Sequence, residues 1–249
     1  MKETFDITVV IPTYNEEERV AQTIDTVFAY FRSRNLKGEI VISDDKSIDT
    51  TVGIVKEKMK INPDIRLLEM ERNYFKGWPV RMGALAAHGS YVLTTDCDLS
   101  TPIEEADKLL TEIKKGADLV IGSRIDESGH DMRDSQPIYR RILGKLFTSI
   151  RSVLTPDIKD SQCGFKLFKF EVAQTLFSKQ RLGNIIFDVE ILYIARKLKF
   201  RIIQVPVVWN YGGQTRMRVT FKNGVDTLLS LAKIWWWHHS EYNGVRVKG

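Results

Sequence analysis

Two aspartates one residue apart follow an apolar run in the middle of the chain. The run is Tyr91-Val-Leu-Thr-Thr, and Asp96-Cys-Asp98 comes directly after it. β-Branched and aromatic residues favour a buried strand, and residues two apart on a strand point to the same side. Two such carboxylates repel each other unless a cation or a proton lies between them. The pair predicts a site for Mg²⁺ or Mn²⁺, which bind oxygen ligands and bridge to phosphates. Taken alone, the pair also fits two solvated loop acids.

Two more polar turns follow predicted strands near the start of the chain. The first is Pro12-Thr-Tyr14-Asn-Glu16, where the ring of Tyr14 is suited to lie against a nucleobase. The second contains Asp44 and Asp45, one of which can accept a hydrogen bond from a base while the other holds a ribose or the metal. Helix capping by Thr13 or Asn15 is the alternative for the first turn, and an acidic helix N-terminus is the alternative for the second.

Strands and helices alternate through the first half of the chain, which predicts parallel βαβ units. Ligands bind such sheets beyond the carboxyl ends of the strands, so the turns Thr13–Glu16, Asp44–Asp49 and Asp96–Ser100 are expected to converge on one crevice. The predicted strands are Ile7–Pro12, Glu39–Ser43, Ile65–Met70, Tyr91–Thr95 and Asp118–Ser123, and the predicted helices are 20–31, Thr51–Lys60, Val80–Ala87 and Pro102–Lys115.

The second half of the chain is less regular. A polar stretch with Gly and Pro, Ile125–Tyr139, predicts a mobile loop that closes over the bound substrate and excludes water. The elements predicted after it are a helix Arg141–Leu154, a strand Phe165–Phe168, a helix Phe187–Lys197 and a strand Arg201–Val208. No break in composition demands a second globular domain.

Three ordered motifs make the chain recognisable. Val9 to Glu16, Val41 to Thr50 and Asp96-Cys-Asp98 together resemble family 2 glycosyltransferases of the GT-A fold. Within that family, Asp160-Ser-Gln-Cys-Gly-Phe-Lys166, Phe187-Asp-Val-Glu190 and Val205-Pro-Val-Val-Trp209 are most similar to dolichyl-phosphate glucosyltransferases, with dolichyl-phosphate mannose synthases as close relatives. The resemblance covers nearly the whole chain. It implies a Rossmann-like, mainly parallel sheet flanked by helices, in a single domain.

The resemblance also implies roles for individual residues. Asp96 and Asp98 match residues that bind the metal and contact the donor diphosphate in the family. Asp98 is also expected to be a catalytic residue. Ser100 stands where mannose synthases commonly carry a Gln ligand. A Gly-Lys-Gly-x-Ala-Val-Arg motif of the family reads Phe75-Lys-Gly-Trp-Pro-Val-Arg81 here, so Trp78 and Pro79 stiffen a turn that is otherwise small. The expected nucleotide-sugar contacts are Pro12, Tyr14, Glu16, Asp44, Asp45, Lys76, Arg81, Asp96 and Asp98.

Basic residues are the candidates for binding the acceptor phosphate. Arg216 follows the last strand in a segment that resembles a Gly-x-Ser-Lys element of the family, and its bidentate geometry suits a leaving diphosphate or an acceptor phosphate. Asp188 stands where inverting relatives place a general base. An ionised lipid phosphate needs little proton removal, so Asp188 is expected only to orient an arginine if the acceptor is such a lipid. The candidate phosphate ligands are Arg124, Arg133, Arg140, Arg141 and Arg216.

Charge and composition narrow the partners. The net charge is +5, and residues 196–249 contain ten Lys or Arg against two acids, which favours an anionic partner or an ordinary solvated tail. The helix Phe221–His239 has an apolar face with Trp235 and Trp236, which suits a membrane interface or docking on the sheet. Residues 1–218 are therefore expected to form the GT-A domain and residues 219–249 a C-terminal amphipathic helix and tail.

The expected location is the cytosolic face of a membrane, with peripheral attachment. No signal peptide and no membrane-spanning stretch is expected from the sequence, and two cysteines without a disulfide framework suit a reducing compartment.

The resemblance implies an inverting transferase that moves a hexose, glucose from UDP-glucose, onto a polyprenyl (dolichyl) phosphate with Mg²⁺ or Mn²⁺. One alternative is transfer from GDP-mannose to the same lipid. Another is transfer to a hydroxyl acceptor, which restores a base role to Asp188. A third is a non-catalytic nucleotide-binding module. No nucleic-acid partner is expected, because the Trp cluster fits a helix face better than an interleaved basic surface.

Overall fold

The computed structural model describes residues 5–126, 128–129, 131–132, 151–210 and 221–239, with only the backbone described for 221–225. The strands in this part are β1 (Phe5–Thr13), β2 (Gly38–Asp44), β3 (Ile65–Glu69), β4 (Gly89–Thr94), β5 (Leu119–Ser123), β6 (Lys166–Lys169) and β7 (Ile202–Pro206). The helices are α1 (Val20–Ser33), α2 (Thr51–Ile61), α3 (Gly77–Leu85), α4 (Ala106–Lys114), preceded by a 3-10 turn at Ile103–Glu105, α5 (Phe170–Lys179), α6 (Phe187–Lys197) and α7 (Phe221–His239).

The strands form one sheet in the order β3-β2-β1-β4-β6-β5-β7. All neighbours pair in parallel except β6, which runs antiparallel to both β4 and β5. The predicted mainly parallel α/β architecture is therefore confirmed. Because β6 is reversed, its beginning lies at the same edge of the sheet as the ends of its parallel neighbours.

Helices cover both faces of the sheet, so the central strands are buried on both sides. Successive residues of β1 alternate between two cores: Val9 and Ile11 pack with Ile24 of α1, whereas Val10 packs on the opposite face with Val80 of α3. Such two-sided burial explains why the strands read as continuous apolar runs instead of alternating ones. The helix predicted at 20–31 is confirmed, and Val20, Ile24, Val27 and Phe31 on one face of it are buried.

Proline does not end β1, contrary to the sequence-based expectation. Pro12 pairs with Ser43 and the strand continues to Thr13. The ladder between β1 and β4 ends at Val10 and Thr94, and Thr95 donates its N–H to Val10 O (3.1 Å). The nitrogen of Pro12 faces that same side, beyond the end of β4, so its missing N–H costs no ladder bond.

Helix α3 begins three residues earlier than predicted, at Gly77. Trp78 and Pro79 therefore lie in its first turn, where proline is tolerated because the N–H groups there have no intrahelical partner. They form a helix start and not the stiffened turn that the sequence suggested. The ring of Trp78 stacks with Tyr74 (6.1 Å between centroids). The other predicted elements within the described residues agree with the structure to within two residues, except that α4 begins four residues later than predicted, after the 3-10 turn.

The C-terminal helix α7 docks on α6 rather than directly on the sheet. Its buried side chains are Ser230, Leu231, Ile234 and His238, whereas Leu228, Leu229, Trp235 and Trp236 remain exposed. One face of the helix is therefore docked on the domain, through α6, whereas the membrane-interface interpretation of the exposed face stays a prediction. None of the helices that the structure describes is long and apolar enough to cross a membrane. Most of the predicted helix Arg141–Leu154 and most of the predicted loop Ile125–Tyr139 lie outside the described residues. At the end of that helix only Arg151 is helical, and 152–154 form a turn.

Candidate active site

The turns after β1 and β2 are hydrogen-bonded to each other. Asn15 N donates to Ser47 Oγ (2.8 Å), and Ile48 N donates to Asn15 Oδ1 (2.8 Å). Asn15 and Lys46 have positive φ (54° and 68°), a conformation that asparagine adopts more readily than most residues. These bonds hold the two turns side by side at the carboxyl end of the sheet, as the sequence predicted.

The two adjacent aspartates at the end of β2 have different surroundings. The carboxylate of Asp44 is used inside the protein, since it accepts from Thr13 Oγ1 (3.0 Å), Ser47 N (2.8 Å) and Ser47 Oγ (2.5 Å). Asp45 Oδ1 accepts from Tyr74 N (2.7 Å) in the loop after β3. Asp44 therefore shapes the turn, and Asp45 is the better candidate for contact with a base.

Burial raises the pKa of the Asp45 carboxyl, and the neighbouring Asp44 adds to this, against the lowering effect of the N–H groups of Tyr74 and Phe75. A carboxylate with a raised pKa gains from a hydrogen-bond donor supplied by a ligand.

Tyr14 and Glu16 lie at the rim of the same crevice. The Tyr14 side chain is exposed (38%), as a ring that stacks on a base must be. Glu16 N donates to Thr51 Oγ1 (2.7 Å), and its carboxylate pairs with Arg19 (3.3 Å). The contacts of Glu16 therefore join the first turn to α1 and α2, and its nucleotide contact stays a prediction, as does that of Pro12.

The third turn carries Asp96 and Asp98 and lies just past the end of β4. The intervening Cys97 is buried, and its carbonyl accepts from Thr23 Oγ1 (2.6 Å). Burial raises the pKa of the Cys97 thiol to about 12. Asp98 is exposed and accepts from Ser100 N (2.9 Å) around Leu99, whose φ is 44°. The side chains of this turn therefore alternate as they do in a strand. Cys97, which stands between the two aspartates, enters the core.

Asp96 forms an ion pair with Lys76, which immediately precedes α3. Burial would raise the pKa of Asp96, but the Lys76 ammonium, helped by Lys166 and Arg124, holds that pKa below its usual range. Burial would likewise lower the pKa of Lys76, yet Asp96, Asp188 and Asp98 keep it raised. Both side chains remain partly exposed (33% for Lys76 and 43% for Asp96). The pair is therefore charged and open to an incoming ligand.

Behind this pair lies a second, buried ion pair. Lys166 at the start of β6 is 2.5 Å from Asp188 in the first turn of α6, and it also donates to the carbonyl of Cys163. The side chains are only 2% and 7% exposed. Asp188 was expected to act as a general base or to orient an arginine. Instead it is withdrawn from solvent and holds a lysine, which does not suit proton removal from an acceptor.

Arg124, which follows β5, is held rigidly. Its Nε and Nη2 donate to the two carboxylate oxygens of Asp160 (2.7 Å each), and its guanidinium lies 5.5 Å from the centre of the Trp209 ring. Burial alone would lower the pKa of Arg124, but the Asp160 carboxylate outweighs burial and the pKa is raised above its usual value. The guanidinium therefore stays charged. The bidentate pair leaves less of Arg124 for a phosphate than the sequence suggested.

Arg81 has packing contacts in the structure. Its Nε donates to Phe177 O (2.9 Å), and its guanidinium lies over the Trp78 ring (4.7 Å). Burial lowers its pKa, against the attraction of Glu190. These contacts tie α3 to α5, and the nucleotide contact expected of Arg81 stays a prediction.

Gly164 allows the segment before β6 to approach the Lys76–Asp96 pair. A Cβ atom on Gly164 would lie 2.7 Å from Asp96 Oδ2 and 3.1 Å from Lys76 Nζ. Its carbonyl accepts from Thr94 Oγ1 (2.8 Å). A larger residue here would displace the Asp96 carboxylate, so the segment Asp160–Lys166 is part of the site wall.

Asp96 and Asp98 suit a hard divalent cation. They are carboxylates at one turn, and Asp98 is exposed. The structure shows no cluster of three or more acidic, His or Cys ligands among the residues it describes, so two carboxylates need further oxygens. A donor diphosphate supplies such oxygens, which is the usual arrangement for Mg²⁺. The residues therefore fit a metal held jointly by protein and substrate.

Four predicted phosphate ligands, Arg133, Arg140, Arg141 and Arg216, lie outside the described residues. Three residues of the site wall had no predicted role: Asp160, Lys166 and Trp209. All three belong to motifs that carry the resemblance, so the signal was present. Their partners come from distant parts of the chain, and the sequence does not show which residues pair.

The sequence is similar to a characterised family over most of its length. Residues 8–177 match glycosyl transferase family 2. A dolichyl-phosphate beta-glucosyltransferase of Trichomonas vaginalis is 36% identical over 225 residues, which cover 86% of this chain and 66% of that protein. A protein of the same name from Dictyostelium discoideum is 34% identical, covering 82% of this chain and 66% of its own length. The chain thus spans about two thirds of the length of these relatives.

Solved structures share the fold. Glucosyl-3-phosphoglycerate synthase from Mycobacterium tuberculosis, in complex with Mn²⁺, UDP and glucosyl-3-phosphoglycerate, superposes with a TM-score of 0.60 at 20% identity, covering 92% of this chain and 81% of that one. A mannosyltransferase from Pyrobaculum calidifontis, in complex with GDP-Man and Mn²⁺, gives 0.56 at 21% identity, covering 86% and 59%. Both likenesses show the GT-A architecture.

Proposed function

Because the chain belongs to glycosyl transferase family 2, we propose that it transfers glucose from UDP-glucose to a polyprenyl phosphate of the dolichyl type. One observation carries the proposal: the turns after β1, β2 and β4 bring Tyr14, Asp45 and the Asp96–Asp98 turn to one crevice. The names of the relatives support both the sugar and the acceptor.

The donor nucleotide is expected to lie across the first two turns. The exposed ring of Tyr14 stacks on the uracil, and Asp45 accepts a hydrogen bond from the base N–H. The ribose and diphosphate then extend toward Asp96 and Asp98, beside the Lys76 ammonium. An anionic diphosphate gains from this lysine, whose raised pKa keeps it charged.

Asp96 and Asp98 would hold Mg²⁺ or Mn²⁺ together with diphosphate oxygens. When bound, the metal offsets the charge that develops on the leaving group. Asp98, the exposed carboxylate, is the residue most available to it.

The transfer needs no proton removal by the protein. An oxygen of the ionised lipid phosphate forms a bond to the anomeric carbon while the bond from that carbon to the diphosphate breaks, and UDP leaves with the electron pair. Attack from the face opposite the leaving group inverts the anomeric centre. Since the acceptor is already ionised, the buried Lys166–Asp188 pair is consistent with this chemistry.

The acceptor phosphate is proposed to meet the basic residues on the β5 side of the crevice. Arg124 stands at this edge, fixed by Asp160, and contributes positive potential. Direct phosphate contacts are proposed for Arg133, Arg140, Arg141 and Arg216, because a guanidinium can donate two parallel hydrogen bonds to one phosphate.

The exposed face of α7 is proposed to lie on a membrane that contains the lipid, on its cytosolic side. Trp235 and Trp236 are 50% and 71% exposed, next to Leu228 and Leu229. A Trp236→Ala variant should bind lipid vesicles more weakly than the parent. Ile61→Ala, at an exposed residue (82%) at the end of α2, should not, and equal vesicle binding by all three proteins would argue against this orientation.

A donor and acceptor panel tests the activity. Purified protein is incubated with radiolabelled UDP-glucose or GDP-mannose and with either a short polyprenyl phosphate or the corresponding hydroxyl-terminated polyprenol, with Mn²⁺ or with EDTA. Glucolipid formed only with UDP-glucose and metal is the expected result. Product from GDP-mannose alone would make it a mannosyltransferase, and product with a hydroxyl-terminated acceptor would restore a base role to Asp188. Nucleotide binding without product would indicate a binding module.

A further inference from the structure

A small polar cavity adjoins Asp96 on the side away from the nucleotide turns. Its volume is about 30 Å³, which is room for one or two groups the size of a water molecule. It is too small for a base, a phosphate group or a whole sugar. The side chains and backbone that line it include Asp96, Ser100, Arg124, Gln162, Gly164 and Trp209.

The cavity is bounded by segments that are fixed to one another. Asp160, held by Arg124, accepts from Gln162 N (3.3 Å), and Gly164 O accepts from Thr94 Oγ1 (2.8 Å). The backbone on both sides of Gln162 is therefore anchored. On the opposite wall, Asn210 N donates to Ser100 O (2.8 Å), which holds the Trp209 segment against the Asp96–Ser100 turn.

Gln162 lines this cavity and has an unsatisfied donor in its side chain. Its Nε2 is buried and has no hydrogen-bond acceptor among the described residues. A buried amide N–H₂ without an acceptor costs free energy, about 1–3 kcal/mol in general, so such a group in a substrate crevice points to an acceptor on the substrate.

The cavity has both a hydrogen-bond donor and a hydrogen-bond acceptor, a combination that suits one kind of ligand group. The amide of Gln162 donates, whereas the Asp96 carboxylate only accepts. A sugar hydroxyl satisfies both, because it accepts from the amide and donates to the carboxylate. A phosphate oxygen has no proton to donate and is repelled by Asp96.

We propose that Gln162 is a specificity-determining residue that hydrogen-bonds a hydroxyl of the transferred hexose in this cavity. The inference rests on the proposed function, because the cavity adjoins Asp96 where the donor diphosphate is placed and the hexose is attached to that diphosphate. A site that binds a hydroxyl in this way discriminates strongly against an analogue that lacks it, since its buried polar groups are then left unpaired.

Two substitutions test the role of the amide. Gln162→Met keeps the length of the side chain without a hydrogen-bond donor, and Gln162→Glu keeps its shape but adds a second anion beside Asp96. The control is Gln22→Ala on the exposed face of α1. Each variant is measured with UDP-glucose and with a series of UDP-glucose analogues that each lack one hydroxyl. The two readouts are the binding affinity by calorimetry and kcat/KM for transfer to polyprenyl phosphate.

We expect Gln162→Met to lower kcat/KM for UDP-glucose by about tenfold or more, while its affinity for UDP and its melting temperature stay close to those of the parent. For the analogue that lacks the bound hydroxyl, kcat/KM of the parent protein should fall by a similar factor relative to UDP-glucose. With that analogue, Gln162→Met should lower kcat/KM by less than about a further twofold, because in a double-mutant cycle the residue and the hydroxyl lose the same interaction. The Gln162→Glu variant should lose at least as much as Gln162→Met, and Gln22→Ala should match the parent.

The inference is overturned if Gln162→Met keeps the parent's activity, or if its loss is the same for UDP-glucose and for every analogue. The proposed function fails separately, if the parent forms no glucolipid. In that case the binding affinities still decide the role of Gln162. The parent must bind one analogue more weakly than UDP-glucose, and Gln162→Met must bind the two with similar affinity. If the parent binds neither UDP-glucose nor any analogue, both are overturned.

Discussion

At the scale of single residues, the site depends on how closely oppositely charged groups approach. Asp96, Asp98 and Asp188 share a small region with Lys76 and Lys166. Each acid is tolerated because a cation lies near it, and the Lys76–Asp96 pair is exposed enough to rearrange when a diphosphate and a metal enter. A change of a few tenths of an ångström at this pair should therefore be felt in turnover.

Gly164→Ala is expected to lower turnover without unfolding the protein. The added Cβ would lie 2.7 Å from Asp96 Oδ2, so the carboxylate must move, and misplacement by about 1 Å can cost on the order of 100-fold in rate. The matched control is Gly53→Ala in α2, where a Cβ meets nothing within 4 Å and the substitution should stabilise the helix by up to about 1 kcal/mol. Glucolipid formation and thermal unfolding are measured for both. Full activity of Gly164→Ala would contradict the proposed place of Asp96.

The raised pKa of Asp45 predicts a pH-dependent affinity for the donor. The carboxylate must be ionised to accept the base N–H, and it takes up a proton at a higher pH than an ordinary aspartate. As the pH is lowered, the affinity for UDP-glucose should therefore fall earlier than an unperturbed Asp would allow. UDP-glucose is the suitable ligand because its esterified diphosphate has no weakly acidic proton. Calorimetry measures the affinity for UDP-glucose as a function of pH for the parent and for Asp45→Asn. The variant should bind UDP-glucose weakly, and its affinity should change little with pH over this range. An identical pH profile in both would exclude Asp45 from base recognition.

At the scale of elements, α7 is attached to the domain by buried polar contacts as well as by apolar packing. His238 Nε2 lies 2.8 Å from Glu190 Oε1, and both side chains are fully buried. The Glu190 carboxylate also accepts from Arg181 N (3.0 Å) and Leu182 N (2.8 Å), and Asn184 Nδ2 donates to Ser230 Oγ (2.9 Å). Because Glu190 lies two residues after Asp188 on α6, the docking of α7 is linked directly to the wall of the site.

His238→Ala should lower the free energy of unfolding by about 2 kcal/mol, because it removes a partner of a buried carboxylate. Denaturant unfolding of the purified protein measures this change. Trp236→Ala, two residues earlier in α7 but 71% exposed, is the control and should change stability by less than about 0.5 kcal/mol. Equal stability of His238→Ala and the parent would mean that α7 is held by its apolar side chains alone.

At the scale of the whole molecule, the crevice joins both halves of the sheet. The nucleotide turns follow β1 and β2, whereas Arg124 and the segment Asp160–Lys166 belong to β5 and β6. A ligand that bridges the two halves binds the folded state and not the unfolded one, so it stabilises the entire domain.

UDP with Mn²⁺ should therefore raise the melting temperature. At about 100 times the dissociation constant the gain is roughly 2.7 kcal/mol, which corresponds to several degrees for a chain of this size, at roughly 2–4 °C per kcal/mol. Differential scanning fluorimetry with UDP alone, Mn²⁺ alone and both should show the full shift only for both. In Asp98→Ala the extra shift from Mn²⁺ should disappear. If it persists in this variant, the metal is held elsewhere.

The first half of the fold was predictable because its signals are local. The apolar runs of β1, β2 and β4 and the helical face of α1 are continuous in the sequence, and parallel crossovers then place Asp45, Asp96 and Asp98 at one edge. Helix α5 was not predicted, although its buried Val172, Ala173, Leu176 and Phe177 have helical spacing. The direction of β6 and the pairing of Lys76 with Asp96 depend on contacts between distant segments, which no local pattern records.

The reversed course of β6 has a consequence for how such proteins diversify. The stretch between Ser123 and Lys166 leaves the sheet and returns to it at the same rim, so it can be replaced without changing the residues of any strand that the structure describes. Recombination within this stretch would leave the nucleotide half of the crevice intact while replacing Gln162 and the acceptor ligands proposed at Arg133, Arg140 and Arg141. One scaffold is thereby able to keep its nucleotide through evolution while its sugar or its recipient changes.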